Sequence, residues 1–97
     1  MIQPDVIAKI QFYSEAQGGR KTATPSNYLG CIFVFEGNNF ECRLLLQDIG
    51  PIPPGGEATV PIKFLWPETK KKLQVGSRFN LREIKIIGEG IIESIPQ

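Results

Sequence analysis

The chain has 97 residues, of which 41% are hydrophobic and 22% charged, and its net charge is +1. That is one domain's length with a modest core, and the overall field favours neither nucleic acid nor an anionic membrane. No apolar stretch approaches the roughly 18 residues needed to cross a bilayer, so a membrane span is excluded from the expectations.

The first stretch, MIQPDVIAKIQ, lacks a basic start followed by an apolar run. A signal peptide is therefore not expected, and the default expectation is a cytoplasmic protein. The residues that follow, DVIAKIQFYS, alternate. Val6, Ala8, Ile10 and Phe12 share one face, with Asp5, Lys9, Gln11 and Tyr13 on the other and Ile7 as an exception. This predicts a half-buried strand.

YLGCIFVF is apolar on both faces, so its outer side calls for a cover by a loop or a partner. FECRLLLQ sets Phe40, Cys42, Leu44 and Leu46 against Glu41, Arg43 and Gln47. EGNN lies between them, with Gly37 and Asn38 suited to positive φ, which predicts a hairpin. Pairing Phe35 with Phe40 places Cys31 opposite Leu44, with Cys42 a diagonal neighbour roughly 7–8 Å away. Two cysteines eleven residues apart are expected to be small apolar core residues with free thiols rather than a metal or redox pair.

DIGPIPPGGE is a loop with tight turns. EATVPIKFLW alternates Ala58, Val60, Ile62, Phe64 and Trp66 with Glu57, Thr59, Pro61, Lys63 and Leu65. Pro61 cannot donate to a ladder, so a free edge or bulge is expected beside it. WPETKKKLQVG is bounded by Pro67 and Gly76 and has room for one helical turn. SRFNLRE alternates again, and IKIIGEGIIESI supplies the last strand, with Gly88 and Gly90 on one face.

Six strands, 18 Gly and Pro residues among 97 and no helical stretch of ten residues predict an all-β fold. Two-sided apolar strands leave costly edges unless the sheet closes, so the expectation is a small six-stranded antiparallel closed β-barrel.

Catalytic signatures are missing. The chain has no histidine, which removes the usual general base and the commonest metal ligand. No phosphate-cradling Gly-rich motif and no Cys-x-x-Cys occurs, and the ten carboxylates are scattered. No enzyme activity, cofactor or metal is expected.

GSRFNLREIKIIGEGIIESI resembles the closing strands of the third domain of elongation factor Tu. Gly76, Arg78, Phe79, Arg82, Glu83, Gly88 and Gly90 match that pattern in order and spacing. DVIAKIQFYSEAQGGRKTATP is similar to the same domain's first strand and its Gly-Gly-Arg turn, here Gly18, Gly19 and Arg20. PPGGEATVPIKFLWP is similar to its Pro-Gly turn, apolar strand and following proline. The resemblance runs over nearly the whole chain and implies a Greek-key barrel that serves as a binding module. In the family this domain docks on a GTPase domain and meets aminoacyl-tRNA and a nucleotide-exchange factor. The chain carries no GTPase, so no GTP binding is inherited. Ile84, Lys85, Ile86 and Ile87 replace a small basic turn, Lys21 stands for a histidine, and Leu29, Gly30 and Cys31 replace Arg-Pro-Gln. These departures weaken the implied tRNA contact.

Between Lys63 and Lys85 the chain has seven basic residues (Lys63, Lys70, Lys71, Lys72, Arg78, Arg82 and Lys85) against two acidic ones. With Arg20, these are the candidate contacts for a partner or for RNA, because a basic stripe reads phosphates. Arg78 and Arg82 project from one strand face, with Glu83 or Glu68 as possible rim partners. Tyr28, Phe33, Phe35 and Trp66 are expected in the core, or else as stacking surfaces. The first expectation is a non-enzymatic interaction module that binds a protein or assembles with itself. The alternative is an RNA-binding module linked to translation.

Overall fold

The computed structural model describes residues 3–96. Six strands form an antiparallel closed barrel: β1 (Val6–Phe12), β2 (Tyr28–Phe35), β3 (Asn38–Leu45), β4 (Glu57–Phe64), β5 (Arg78–Arg82) and β6 (Ile86–Ser94). Their order around the barrel is β1-β4-β3-β2-β5-β6. β2, β3 and β4 neighbour one another in sequence, and β5 returns beside β2, which is Greek-key topology. No helix among the described residues is long and apolar enough to cross a membrane.

Alternation decides which side chains enter the barrel. Val6, Ala8, Ile10 and Phe12 of β1 face Val60, Ile62 and Phe64 of β4 within one buried cluster. Phe33 stands at its centre. Its ring stacks on Phe79 at 4.1 Å between centroids and meets Phe64 edge-on at 4.9 Å. Burying each such ring contributes about 2–3 kcal/mol. Phe79 pairs in register with Gly90. A Cβ on Gly90 would lie 2.4 Å from the end of the Phe79 ring, so glycine is what admits the ring. A Cβ on Gly88 would likewise meet the β1 backbone, 2.8 Å from the Gln11 carbonyl oxygen.

The hairpin departs from the expected register. Phe35 pairs with Asn38, not with Phe40, and the turn is Glu36 and Gly37, at φ of 50° and 79°. Two consecutive residues with positive φ form the tight turn whose twist suits a two-residue hairpin. The correction is a slip of two residues, so every side chain keeps its face. Its consequence is that Cys31 stands directly opposite Cys42 rather than Leu44.

Three other expectations are corrected. Asp5 is buried, because it precedes β1 and turns inward at the end of β4. Trp66 is 67% exposed, since β4 ends at Phe64 and the chain turns into a short 3-10 helix, Pro67–Lys72. Tyr28 is also exposed. A second 3-10 turn, Glu15–Gln17, is closed by a capping box between Ser14 and Gln17 just ahead of Gly18, Gly19 and Arg20. At Pro61 the free edge is present: β4 pairs with β3 only through residues 62–64.

Candidate functional site: a groove on the barrel wall

The predicted basic stripe does not form one surface. Lys70, Lys71 and Lys72 lie on the 3-10 helix that links β4 to β5 at one end of the barrel, and Arg78 opens β5 at that end. Lys85 lies in the turn at the far end of β5, two residues after the Glu83 that Arg20 of the β1–β2 loop holds. Lys71, Lys72, Arg78 and Lys85 are exposed, and Lys70 is half-buried.

Two candidates have structural partners. Arg20 donates from Nη1 to Glu83 Oε1 at 2.6 Å and also reaches the Thr22 and Ala23 carbonyls. Glu83 is thus paired with Arg20, not with Arg78 or Arg82 as the sequence suggested. Lys63 lies 3.4 Å from Asp5 Oδ1, while Asp5 Oδ2 accepts the Phe64 N–H at 2.9 Å. A buried carboxylate needs such partners, and Lys63 supplies the charge. Arg78, Arg82 and Lys85 make no ion pair among the described residues.

Arg82 and Lys63 do meet at one place, a groove of about 600 Å³ over the outer faces of β4, β3, β2 and the end of β5. Gly30 forms part of its floor, and no atom lies within 4 Å of where a Cβ would stand. Leu65, 59% exposed, and Ile84, fully exposed at 100%, border it with Ile32 and Leu45. Arg43 shares this groove with a neighbouring one of about 480 Å³. Its guanidinium sits 4.8 Å from the Tyr28 ring centroid, so the stacked pair stands between the two.

Two of the ladders under the groove are short: β3 pairs with β4 only through residues 42–44, and β2 with β5 only through residues 32–34. β2 pairs with β3 along its whole length, from Tyr28 to Phe35. Residues 28–31 therefore carry a ladder on one side only. An unpaired strand edge is a template for a further extended segment. The sequence signalled this place only through the two-sided apolar run of β2, and the importance of Arg43, Gly30 and Leu65 was missed.

Cys31 and Cys42 lie under this wall, 8% and 5% exposed, with their sulfurs 3.8 Å apart. Both are free thiols. The shared hydrogen bond with Cys31, then burial, pushes the Cys42 thiol far above its ordinary range. Tyr13 is also raised, by desolvation and by its hydrogen bond to Glu89.

No model of a known protein family matches the chain. No curated protein matches it significantly.

Proposed function

We propose that the protein is a non-enzymatic, cytoplasmic interaction module related to the third domain of elongation factor Tu, and that it takes a protein partner or a second copy of itself on the β4-β3-β2-β5 wall. The observation that carries this reading is the half-open edge of β2. Residues 28–31 have a ladder on one side only, beside a groove bordered by exposed Leu65 and Ile84. An extended segment fits there because it completes backbone hydrogen bonds while covering apolar side chains. Glu41 and Glu83 line the groove beside Arg43, Lys63 and Arg82. Glu83 is held by Arg20 and Lys63 by Asp5, so Arg43 and Arg82 against Glu41 favour a segment with acidic residues.

The alternative is RNA. Its support is the same pair of arginines with Tyr28, which offers a ring for base stacking. Its weakness is the division of Lys70, Lys71, Lys72 and Lys85 between opposite ends of the barrel.

Capture from native lysate with wild type, Gly30→Leu and Ile84→Asp tests the reading, with sedimentation of each protein alone as the measure of self-association. A partner, or a self-associated form, held by wild type and lost from both folded variants is the expected result. Equal behaviour of all three overturns the groove. RNA retention at low salt that falls steeply at moderate salt supports the alternative.

A further inference from the structure

The two thiols stand apart from any docking role. We infer that Cys31 and Cys42 form a reversible oxidation site, which a small organic disulfide closes to an intramolecular cross-strand disulfide.

Three observations place it. The two residues are direct partners in the β2–β3 ladder, and their sulfurs are 3.8 Å apart. Directly opposed residues on antiparallel strands hold their Cα atoms about 4.5–5.5 Å apart, inside the span a disulfide bridges. Bond formation thus asks for side-chain rotation and not for a new backbone path. The two side chains belong to the buried cluster beneath the groove wall, 8% and 5% exposed, so a reagent reaches them when that wall opens. Finally, Cys31 lies on the part of β2 that β5 does not pair with, so that wall is held on one side only. A strand edge with a ladder on one side only has fewer backbone hydrogen bonds to break in a local opening.

The exchange balances without metal or cofactor. Cys31 loses its proton to water, and its sulfur attacks one sulfur of the small disulfide. That S–S bond breaks, a mixed disulfide forms, and one small thiolate leaves and takes up a proton. Cys42 then loses its proton, attacks the Cys31 sulfur and expels the second small thiol. The protein gives up two protons and two electrons, and the reagent takes them up to become two thiols. An excess of a small dithiol reverses both steps. The thiolate is the attacking form, and the raised Cys42 thiol makes the second step slow at neutral pH.

The test uses the whole chain and oxidised glutathione. After incubation the protein is freed of reagent, unfolded in denaturant and alkylated at its remaining thiols, and its intact mass is read. Wild type is expected to lose two hydrogens, take up no alkylating reagent and return to two reactive thiols after dithiothreitol. The closure rate is expected to rise about tenfold per pH unit below the thiol range. Cys31→Ser and Cys42→Ser are expected to stop at a mixed disulfide or stay free. Cys31→Ala and Cys42→Ala repeat the comparison should a serine variant not fold, with circular dichroism as the check. Two freely alkylated thiols in wild type after prolonged incubation overturn the inference. So does a stable mixed disulfide, or a disulfide-linked dimer in place of the internal bond.

Discussion

Arg20 Nη1 lies 2.6 Å from Glu83 Oε1, joining residues 63 apart in sequence and tying the β1–β2 loop to the turn between β5 and β6. Both side chains are part-buried. Arg20, which the sequence offered as a partner contact, thus has a structural role within the fold. A double-mutant cycle with Arg20→Ala and Glu83→Gln is expected to give a coupling of about 1 kcal/mol. Additive effects on denaturant midpoints would show that the pair contributes nothing.

Gly90 and Gly30 are both strand glycines, yet their surroundings differ. A Cβ on Gly90 would collide with the Phe79 ring, which is itself stacked on Phe33 in the core. Gly90→Ala is expected to cost about 1–3 kcal/mol, because the ring cannot shift without disturbing its neighbours. A Cβ on Gly30 meets open space, so Gly30→Ala is expected to be neutral or slightly stabilising. Thermal unfolding of the two variants decides the point, and equal destabilisation would contradict it.

The sequence made the barrel legible because period-two alternation is a direct record of which side chains face the interior. Phe12, Leu44, Ile62 and Leu81 are all buried where that alternation places them. What alternation does not record is where a strand stops. Trp66 continues the pattern past Phe64 but belongs to the next turn, so it is exposed. Nor does alternation fix register to within two residues. EGNN offered several turn positions, and the choice of Glu36 and Gly37 is what sets Cys31 against Cys42. The groove was least legible, since it lies where the β3–β4 and β2–β5 ladders are both short. The basic residues were visible as a count, but their division between the two ends depends on strand direction.

Asp5 shows how a buried charge is held. Its carboxylate accepts the Phe64 N–H at 2.9 Å and sits 3.4 Å from Lys63 Nζ. Asp5→Ala leaves that buried N–H without an acceptor and is expected to cost about 1–3 kcal/mol. Asp5→Asn keeps an oxygen in place and is expected to recover part of the loss. Lys63 is partly exposed, so Lys63→Met is expected to cost less than Asp5→Ala. Chemical denaturation of the three variants gives the order, and a reversed order would assign the stabilising role to the ion pair instead of the backbone hydrogen bond.

The thiol pair predicts how stability depends on pH. The Cys42 thiol is raised in the folded chain by its hydrogen bond with Cys31 and by burial. In the unfolded chain it titrates near its ordinary value of about 8.5. The folded state then binds more protons than the unfolded state once pH passes that value. Stability is accordingly at its full value below it and falls as pH rises above it. Other groups, Tyr13 among them, also titrate at high pH, so the comparison must be with a variant. The denaturant midpoint of wild type, kept reduced, is expected to fall between about pH 8.5 and 10, and that of Cys42→Ala to fall less over the same range. Parallel declines would mean that the buried thiol contributes nothing to the alkaline loss of stability.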